Sequence, residues 1–298
     1  MQQKLLFFFI DGLGLGDNSR SNPFVHAKMN SLNNILGQKL LKNININQDK
    51  LLCKGIDACL LVDGIPQSAT GQTALFTGIN AAQHLGYHLP AFPNDALKKL
   101  IYKNNLIKYA VAQNRTAVFA NSYTDHYFDL VKQGKREHSV TTLCTMSANL
   151  PLRNVQDLLK RKAVHWDITR QIVNEQQNPD IPVLLPEQAA KDLVSLCQEY
   201  DLVVFESFLP DLIGHSKEFK KKIEILEILD SFIGNILTEL PSQVTFLFTS
   251  DHGNIEDSRI KNHTKNPVPL FVYGPGKLNF QSVNSLTDIY GACCQTII

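Results

Sequence analysis

The chain has no apolar run approaching the roughly 20 residues that a membrane-spanning helix needs, which excludes a transmembrane helix. Its N-terminal apolar run, Leu5–Ile10, is six residues long and is followed at once by Asp11 and Gly12. Without a small-residue cleavage pattern it reads as a first buried strand, not a secretory leader. Charge surplus is also missing: 29 Lys and Arg against 28 Asp and Glu leave a formal net charge of +1. No bulk field therefore favours nucleic acid or an anionic membrane, and any anionic ligand has to be recognised locally. Six cysteines occur without a CxxC pair, so reduced, mostly buried thiols in a cytoplasm are expected. There is no internal repeat or low-complexity tract. Trp166 is the single tryptophan, and alone it makes no stacking platform.

What the chain does have is alternation of short apolar runs with helical patterns, the mark of an α/β protein built on a mostly parallel sheet. Strands are expected at Leu5–Ile10, Ala58–Val62, Thr116–Ala120, Leu202–Phe205, Val244–Phe248 and Leu270–Tyr273. One long helix is expected from Lys217 to Leu240, with Ile223, Leu226, Ile233 and Leu237 on one face, Ser216 as cap and Pro241 as stop. Patterning is weakest between His84 and Ala190. That divides the chain into a core from residues 1–84 and 191–298, with 85–190 carrying core elements and a small inserted cap.

Polar residues gather at the ends of the expected strands. Asp11 ends the first. Asp63 to Gln72 follows the second and contains Ser68 and Thr70; Leu202–Phe205 runs into Glu206 and then Asp211 and His215. Val244–Phe248 reaches Thr249-Ser250-Asp251-His252-Gly253-Asn254, and His263 follows eleven residues after His252. In open α/β sheets ligands bind outside the carboxyl ends of the strands, so these clusters support one another. Asp211 and His215, four apart, share one side of a helical turn. A buried carboxylate beside a buried imidazole is costly without a partner. Three carboxylates and three imidazoles suit zinc or manganese better than an all-oxygen magnesium cage. Gly12-Leu13-Gly14-Leu15-Gly16 lacks the GxGxxG spacing of a dinucleotide site; its glycines are expected to let backbone approach the ligand side chains. Tyr123-Thr124-Asp125-His126 reads as a turn that could reach a substrate from the cap, and Lys217–Lys222 as an exposed helical face.

These motifs resemble the alkaline phosphatase superfamily, nearest its branch of cofactor-independent phosphoglycerate mutases and phosphopentomutases. The resemblance rests on Phe9-Ile10-Asp11-Gly12, Ser68-Ala69-Thr70-Gly71-Gln72, Asp211-Leu212-Ile213-Gly214-His215, Ser250-Asp251-His252-Gly253-Asn254, and His263-Thr264 with Asn266-Pro267-Val268-Pro269. It implies an alkaline-phosphatase-like fold with two divalent metal ions, manganese or zinc. Asp211, His215 and His263 would hold one; Asp11, Asp251 and His252 would hold the other. Ser68 would be the nucleophile and touch the second metal, with Thr70 as its rival. Two cations a few ångström apart suit in-line transfer at phosphorus through a phosphoserine.

The expected partner is a small phosphorylated substrate, with no nucleic acid and no membrane; the sequence does not fix the oligomeric state. Two departures bear on the reaction. The mutases usually carry His where this chain has Gln72. Only 142 residues separate Ser68 from Asp211, room for a small cap, in which Arg115, Arg136, Arg153, Arg161 and Arg170 are the candidates for anion contact. Hydrolysis of a small phosphomonoester is therefore expected ahead of a phosphomutase. A sulfatase lacks its Cys-x-Pro-x-Arg site here, and a silent scaffold would have lost ligands that are all present.

Overall fold

Residues 3–298 are described by a computed structural model. Five of the six expected strands form, with ends shifted by a few residues. The nine strands are β1 (Lys4–Ile10), β2 (Asn45–Gln48), β3 (Leu51–Ile56), β4 (Ala117–Phe119), β5 (Ser122–Tyr123), β6 (Arg153–Asn154), β7 (Leu202–Ser207), β8 (Val244–Thr249) and β9 (Val268–Tyr273). Seven of them make the central sheet in the order β2-β3-β9-β8-β1-β7-β4, and β5 pairs with β6 apart from it. β8, β1, β7 and β4 pair in parallel, while β9, β3 and β2 add antiparallel, so five of the seven strands run one way.

β1 is apolar without interruption because both of its faces are covered. Leu6, Phe8 and Ile10 pack toward Leu226, Phe232 and Ile233 of helix Phe219–Glu239 and toward Leu193 of helix Pro186–Glu199. Leu5, Phe7 and Phe9 pack on the other side, against Phe76 of helix Ser68–Thr77, Leu143 of Val140–Ser147 and Ile289 of Leu286–Ile297. The ring centroids of Phe7 and Phe76 lie 5.3 Å apart, and those of Phe8 and Phe232 5.4 Å apart. The expected long helix stops before Pro241 but starts at Phe219, with Glu218 at the cap position; Ser216, expected as the cap, instead accepts the Glu218 N–H in the turn before it.

The strand expected at Ala58–Val62 does not form. The Asp57 carboxylate accepts the N–H groups of Cys59 and Leu60, and Leu60 and Leu61 take left-handed backbone angles, which closes a turn. The strand on that side is β3, whose apolar pattern is broken by Lys54 and Gly55.

Within the weakly patterned stretch, Ile101, Leu106, Ile107, Val140 and Leu143 all enter the core on one face of the sheet. Leu158, Val173 and Ile181 form a small separate apolar cluster. Helix Asp125–Lys132, the β5–β6 ladder and helix Gln171–Gln176 lie toward the carboxyl ends of the parallel strands and overhang them. No helix among the described residues is long and apolar enough to cross a membrane.

Candidate metal centre

The strand register brings the polar motifs together. β1 lies between β8 and β7, with Phe9 opposite both Thr249 and Glu206. Two residues further along, Asp11 and Asp251 leave neighbouring strands side by side. Asp211 follows β7 on the short helix Leu209–Gly214, and His215 closes that helix. Two close approaches require glycine. A Cβ on Gly12, whose φ is +73°, would lie 2.7 Å from the Asp211 Cα, and one on Gly71 would lie 2.8 Å from the Asp251 carbonyl oxygen.

His252 Nε2 lies 3.2 Å from Asp11 Oδ1, 3.6 Å from Asp251 Oδ2 and 3.0 Å from Ser68 Oγ. Asp211 has His263 Nε2 at 3.3 Å from one oxygen and His215 Nε2 at 3.3 Å from the other. The rings of His252 and His263 stack, with centroids 3.7 Å apart. Asp11, Asp251 and His252 each offer a donor atom to one point, as do Asp211, His252 and His263. All seven expected residues thus meet in one place. Thr70 does not: its hydroxyl donates to the Gln67 carbonyl and accepts the Leu89 N–H.

The hydrogen bonds define what this cluster can hold. His215 and His263 turn Nδ1 to the carbonyl oxygens of Lys261 (2.6 Å) and Pro66 (2.9 Å). A carbonyl only accepts, so each Nδ1 carries the proton and each Nε2 presents a lone pair. Those two lone pairs face each other across 3.3 Å and share Asp211, an arrangement that calls for a cation between them. A metal-ligating histidine typically gives its other N–H to a carbonyl in this way. Asp11 Oδ1 is buried, with His252 Nε2 at 3.2 Å beside it. Among the described residues, no lysine or arginine pairs with Asp11, Asp211 or Asp251.

Proton affinities follow the same charge imbalance. Burial favours neutral His252, but Asp251, the Asp11 hydrogen bond and charge, and Asp211 outweigh it and raise its pKa to about 10. Burial and the charges of Asp251 and Asp211 push Asp11 well above the usual carboxylate range, against the pull of His252. Burial raises Asp211 too, yet the neighbouring His263 ring, the charge of His252 and the Asn254 amide hold it well below that range. A site that draws protons this strongly is built for positive charge. Nitrogen and oxygen donors at these spacings fit divalent metal ions.

A sequence model of the metalloenzyme superfamily matches residues 3–298. The chain belongs to that superfamily. It is similar to the 2,3-bisphosphoglycerate-independent phosphoglycerate mutase of Malacoplasma penetrans, 21% identical over 296 residues that make up 93% of this chain and 55% of the mutase. It is also similar to the mutase of that name from Mycoplasmoides gallisepticum, 33% identical over 103 residues, 31% of this chain and 20% of the mutase. The chain therefore spans between a fifth and about half of these curated relatives. Among solved structures, alkaline phosphatase from the Antarctic bacterium TAB5 superposes with a TM-score of 0.55 at 13% identity, over 100% of this chain and 99% of that one. The PH0037 protein from Pyrococcus horikoshii gives a TM-score of 0.55 at 16% identity, over 93% and 86%. The metalloenzyme thus has the alkaline-phosphatase-like fold.

Sequence reasoning named Gln72 and Glu206 without their contacts, and missed Glu256 of the metalloenzyme's site. The Gln72 side-chain amide donates to Asp11 (3.2 Å) and Asp251 (3.0 Å), tying the two carboxylates together. The Glu256 carboxylate accepts the N–H groups of Gly14 (3.2 Å) and Asn254 (2.8 Å), the Asn266 amide (3.0 Å) and the Thr264 hydroxyl. It thereby clamps the glycine-rich turn onto the loop that carries His263. Nothing in its sequence surroundings marks Glu256. Glu206 is the next-to-last residue of β7, where its polar character was visible. Burial raises its pKa to about 8, against the Thr141 hydrogen bond and with help from the Asp251 charge.

Above Asp11, Ser68 and Asp211 lies a cleft of about 540 Å³. Of the five candidate arginines only Arg136 lines it. Arg115 donates to the Gln3 carbonyl, Arg153 to the Tyr200 hydroxyl, Arg161 to Asp192, and Arg170 to the Leu158 carbonyl. As anion contacts those four are corrected: carbonyls, a phenol and a carboxylate on the scaffold use them. Tyr123, Thr124 and His126 do line the cleft, and Thr124 caps helix Asp125–Lys132.

Proposed function

We propose that this metalloenzyme transfers phosphoryl groups through Ser68 and hydrolyses small phosphomonoesters. Asp211, His215 and His263 would hold one divalent ion, and Asp11, Asp251, His252 and the Ser68 hydroxyl the other, manganese or zinc fitting this donor set. Two such cations would supply positive charge that favours the serine alkoxide and balances the phosphate oxygens. Ser68 opens helix Ser68–Thr77, whose first N–H groups have no partner within the helix and face an incoming anion. Its Oγ attacks phosphorus, the bond from phosphorus to the leaving oxygen breaks, and the alcohol departs with a proton. Water then cleaves phosphoserine and releases phosphate. Gln72 keeps Asp11 and Asp251 in register throughout.

The observation that favours hydrolysis is the single arginine in the cleft. A mutase has to grip its dephosphorylated intermediate, exclude water and return the phosphate, which calls for several cationic groups on the substrate's fixed end. One exposed guanidinium, Arg136, does not supply that grip. The relatives named phosphoglycerate mutase favour a second reading, phosphomutase activity on a phosphorylated acid or sugar. The partner is in either case a small phosphorylated molecule, with neither nucleic acid nor membrane, and a cytoplasmic setting suits the six free thiols.

The deciding experiment screens phosphate mono- and diesters with metal-stripped protein resupplied with manganese, zinc or magnesium. Release of inorganic phosphate supports the hydrolase; an isomerised ester without release replaces it with the mutase. Absence of turnover with every metal overturns both.

A further inference from the structure

Once a phosphate is placed at Ser68, the rest of the ester has to occupy the cleft above it. The cleft's volume of about 540 Å³ falls within the roughly 300–1,000 Å³ typical of sites that enclose a drug-sized molecule. That is far more than a three-carbon acid fills. Its walls carry Phe92, Tyr123, Tyr127, Trp166 and Phe208, each only partly buried. Trp166 is not isolated as its sequence position implied: its ring lies 5.9 Å from that of Phe208 at 63°. Phe208 in turn caps the helix that carries Asp211, so this aromatic pair begins within one turn of the phosphate end. Tyr123 and Tyr127 stand 4.5 Å apart, and the Arg136 guanidinium sits 5.4 Å over the Phe92 ring. Glu137, paired with Lys98 at 3.1 Å, also lines the cleft, and Arg136 is exposed over the Phe92 ring, so a second anionic group on the substrate gains little there.

We propose that the cleft selects phosphomonoesters whose leaving group is an uncharged, planar aromatic ring system of nucleoside size, stacked on the Trp166–Phe208 pair. Nucleoside monophosphates are the biological compounds of that shape. Stacking on an aromatic side chain is tolerant of which base is present, so selectivity should lie between aromatic and non-aromatic leaving groups more than among bases. The amides of Gln176 and Gln177, exposed at the cleft's rim, are placed to meet a base's polar edge.

This proposal rests on the phosphatase reading for its substrate but not for its test, because Trp166 is the only tryptophan and its fluorescence reports occupancy without turnover. Adenosine, which carries no phosphate, should change that fluorescence saturably, whereas ribose should not, and Tyr127→Ala should weaken the adenosine titration. In the metal-loaded enzyme, adenosine monophosphate should exceed glycerol phosphate in kcat/KM. That ratio should fall roughly 5- to 100-fold in Trp166→Ala and be largely kept in Trp166→Phe. No saturable signal with millimolar adenosine, or equal turnover of the two esters, overturns the proposal. Adenosine binding without hydrolysis of any ester keeps the aromatic site and overturns the hydrolase instead.

Discussion

The floor and the walls of the cleft are built by opposite rules. On the floor, Asp11, Asp251 and His252 follow strand ends, Ser68 and Asp211 sit in the first turns of helices, His215 closes a helix and His263 lies on a loop, and each of the imidazoles is oriented through its second nitrogen. On the walls, partly exposed rings and one exposed arginine stand on short helices and loops between residues 91 and 177, joined by Phe208 beside the Asp211 helix. The floor concentrates unbalanced negative charge and demands cations; the walls are nearly neutral and offer flat apolar surface. The chemistry is therefore set by a rigid part of the fold and the choice of substrate by a more adaptable one.

The comparison predicts that floor substitutions are severe and wall substitutions mild. Ser68→Ala should lower turnover at least about 1,000-fold, since its rival Thr70 turns away from the cluster, while metal content stays nearly unchanged. Substantial residual activity that is lost on Thr70→Ala instead would move the nucleophile. His263→Ala should leave the protein with about one metal equivalent after dialysis in place of two, read by elemental analysis. Retention of both equivalents would break the assignment of His263 as a ligand.

Glu256→Ala tests whether the floor's rigidity comes from its clamp. Three buried donors and the half-buried Asn266 amide lose their acceptor at once, and unfolding in denaturant should show a loss of about 4 kcal/mol. A loss under about 1 kcal/mol would mean that the loop holds itself. Glu206 gives a pH signature. Its pKa is raised from 4.5 to about 8 in the folded chain, so the unfolded chain ionises first and stability falls as pH rises through that window. In chelator-treated protein, Glu206→Gln should abolish a fall on the order of 3 kcal/mol between about pH 5 and 8. An unchanged pH profile would show that Glu206 is not held neutral. The smallest effect belongs to the wall: Arg136→Ala should change kcat/KM less than about 5-fold, as suits an exposed, solvated charge. A loss of a hundredfold or more would make the walls catalytic and favour the mutase.

The sequence by itself determined the floor. Buried parallel strands have to be apolar throughout, so the polar residue that ends each one stands out. Asp11, Asp251 and His252 were legible for that reason, and the i,i+4 spacing of Asp211 and His215 placed them on one side of a turn. The α/β architecture followed from the same runs, and the long helix from its apolar face and Pro241. Only the tertiary structure decided the rest. Leu51–Ile56 pairs with β9 although Lys54 and Gly55 interrupt its pattern, because cross-strand hydrogen bonds do not depend on side-chain polarity. Ala58–Val62 is apolar yet turns, because one carboxylate, Asp57, captures two N–H groups. Gln72, Glu256 and the Trp166–Phe208 pair act through partners far away in the chain. Four of the five arginines were equally ambiguous, since a guanidinium that serves a distant carbonyl or carboxylate looks, in sequence, like one that awaits a phosphate. Contacts of that kind leave no local period or motif, and only the folded chain brings their two halves together.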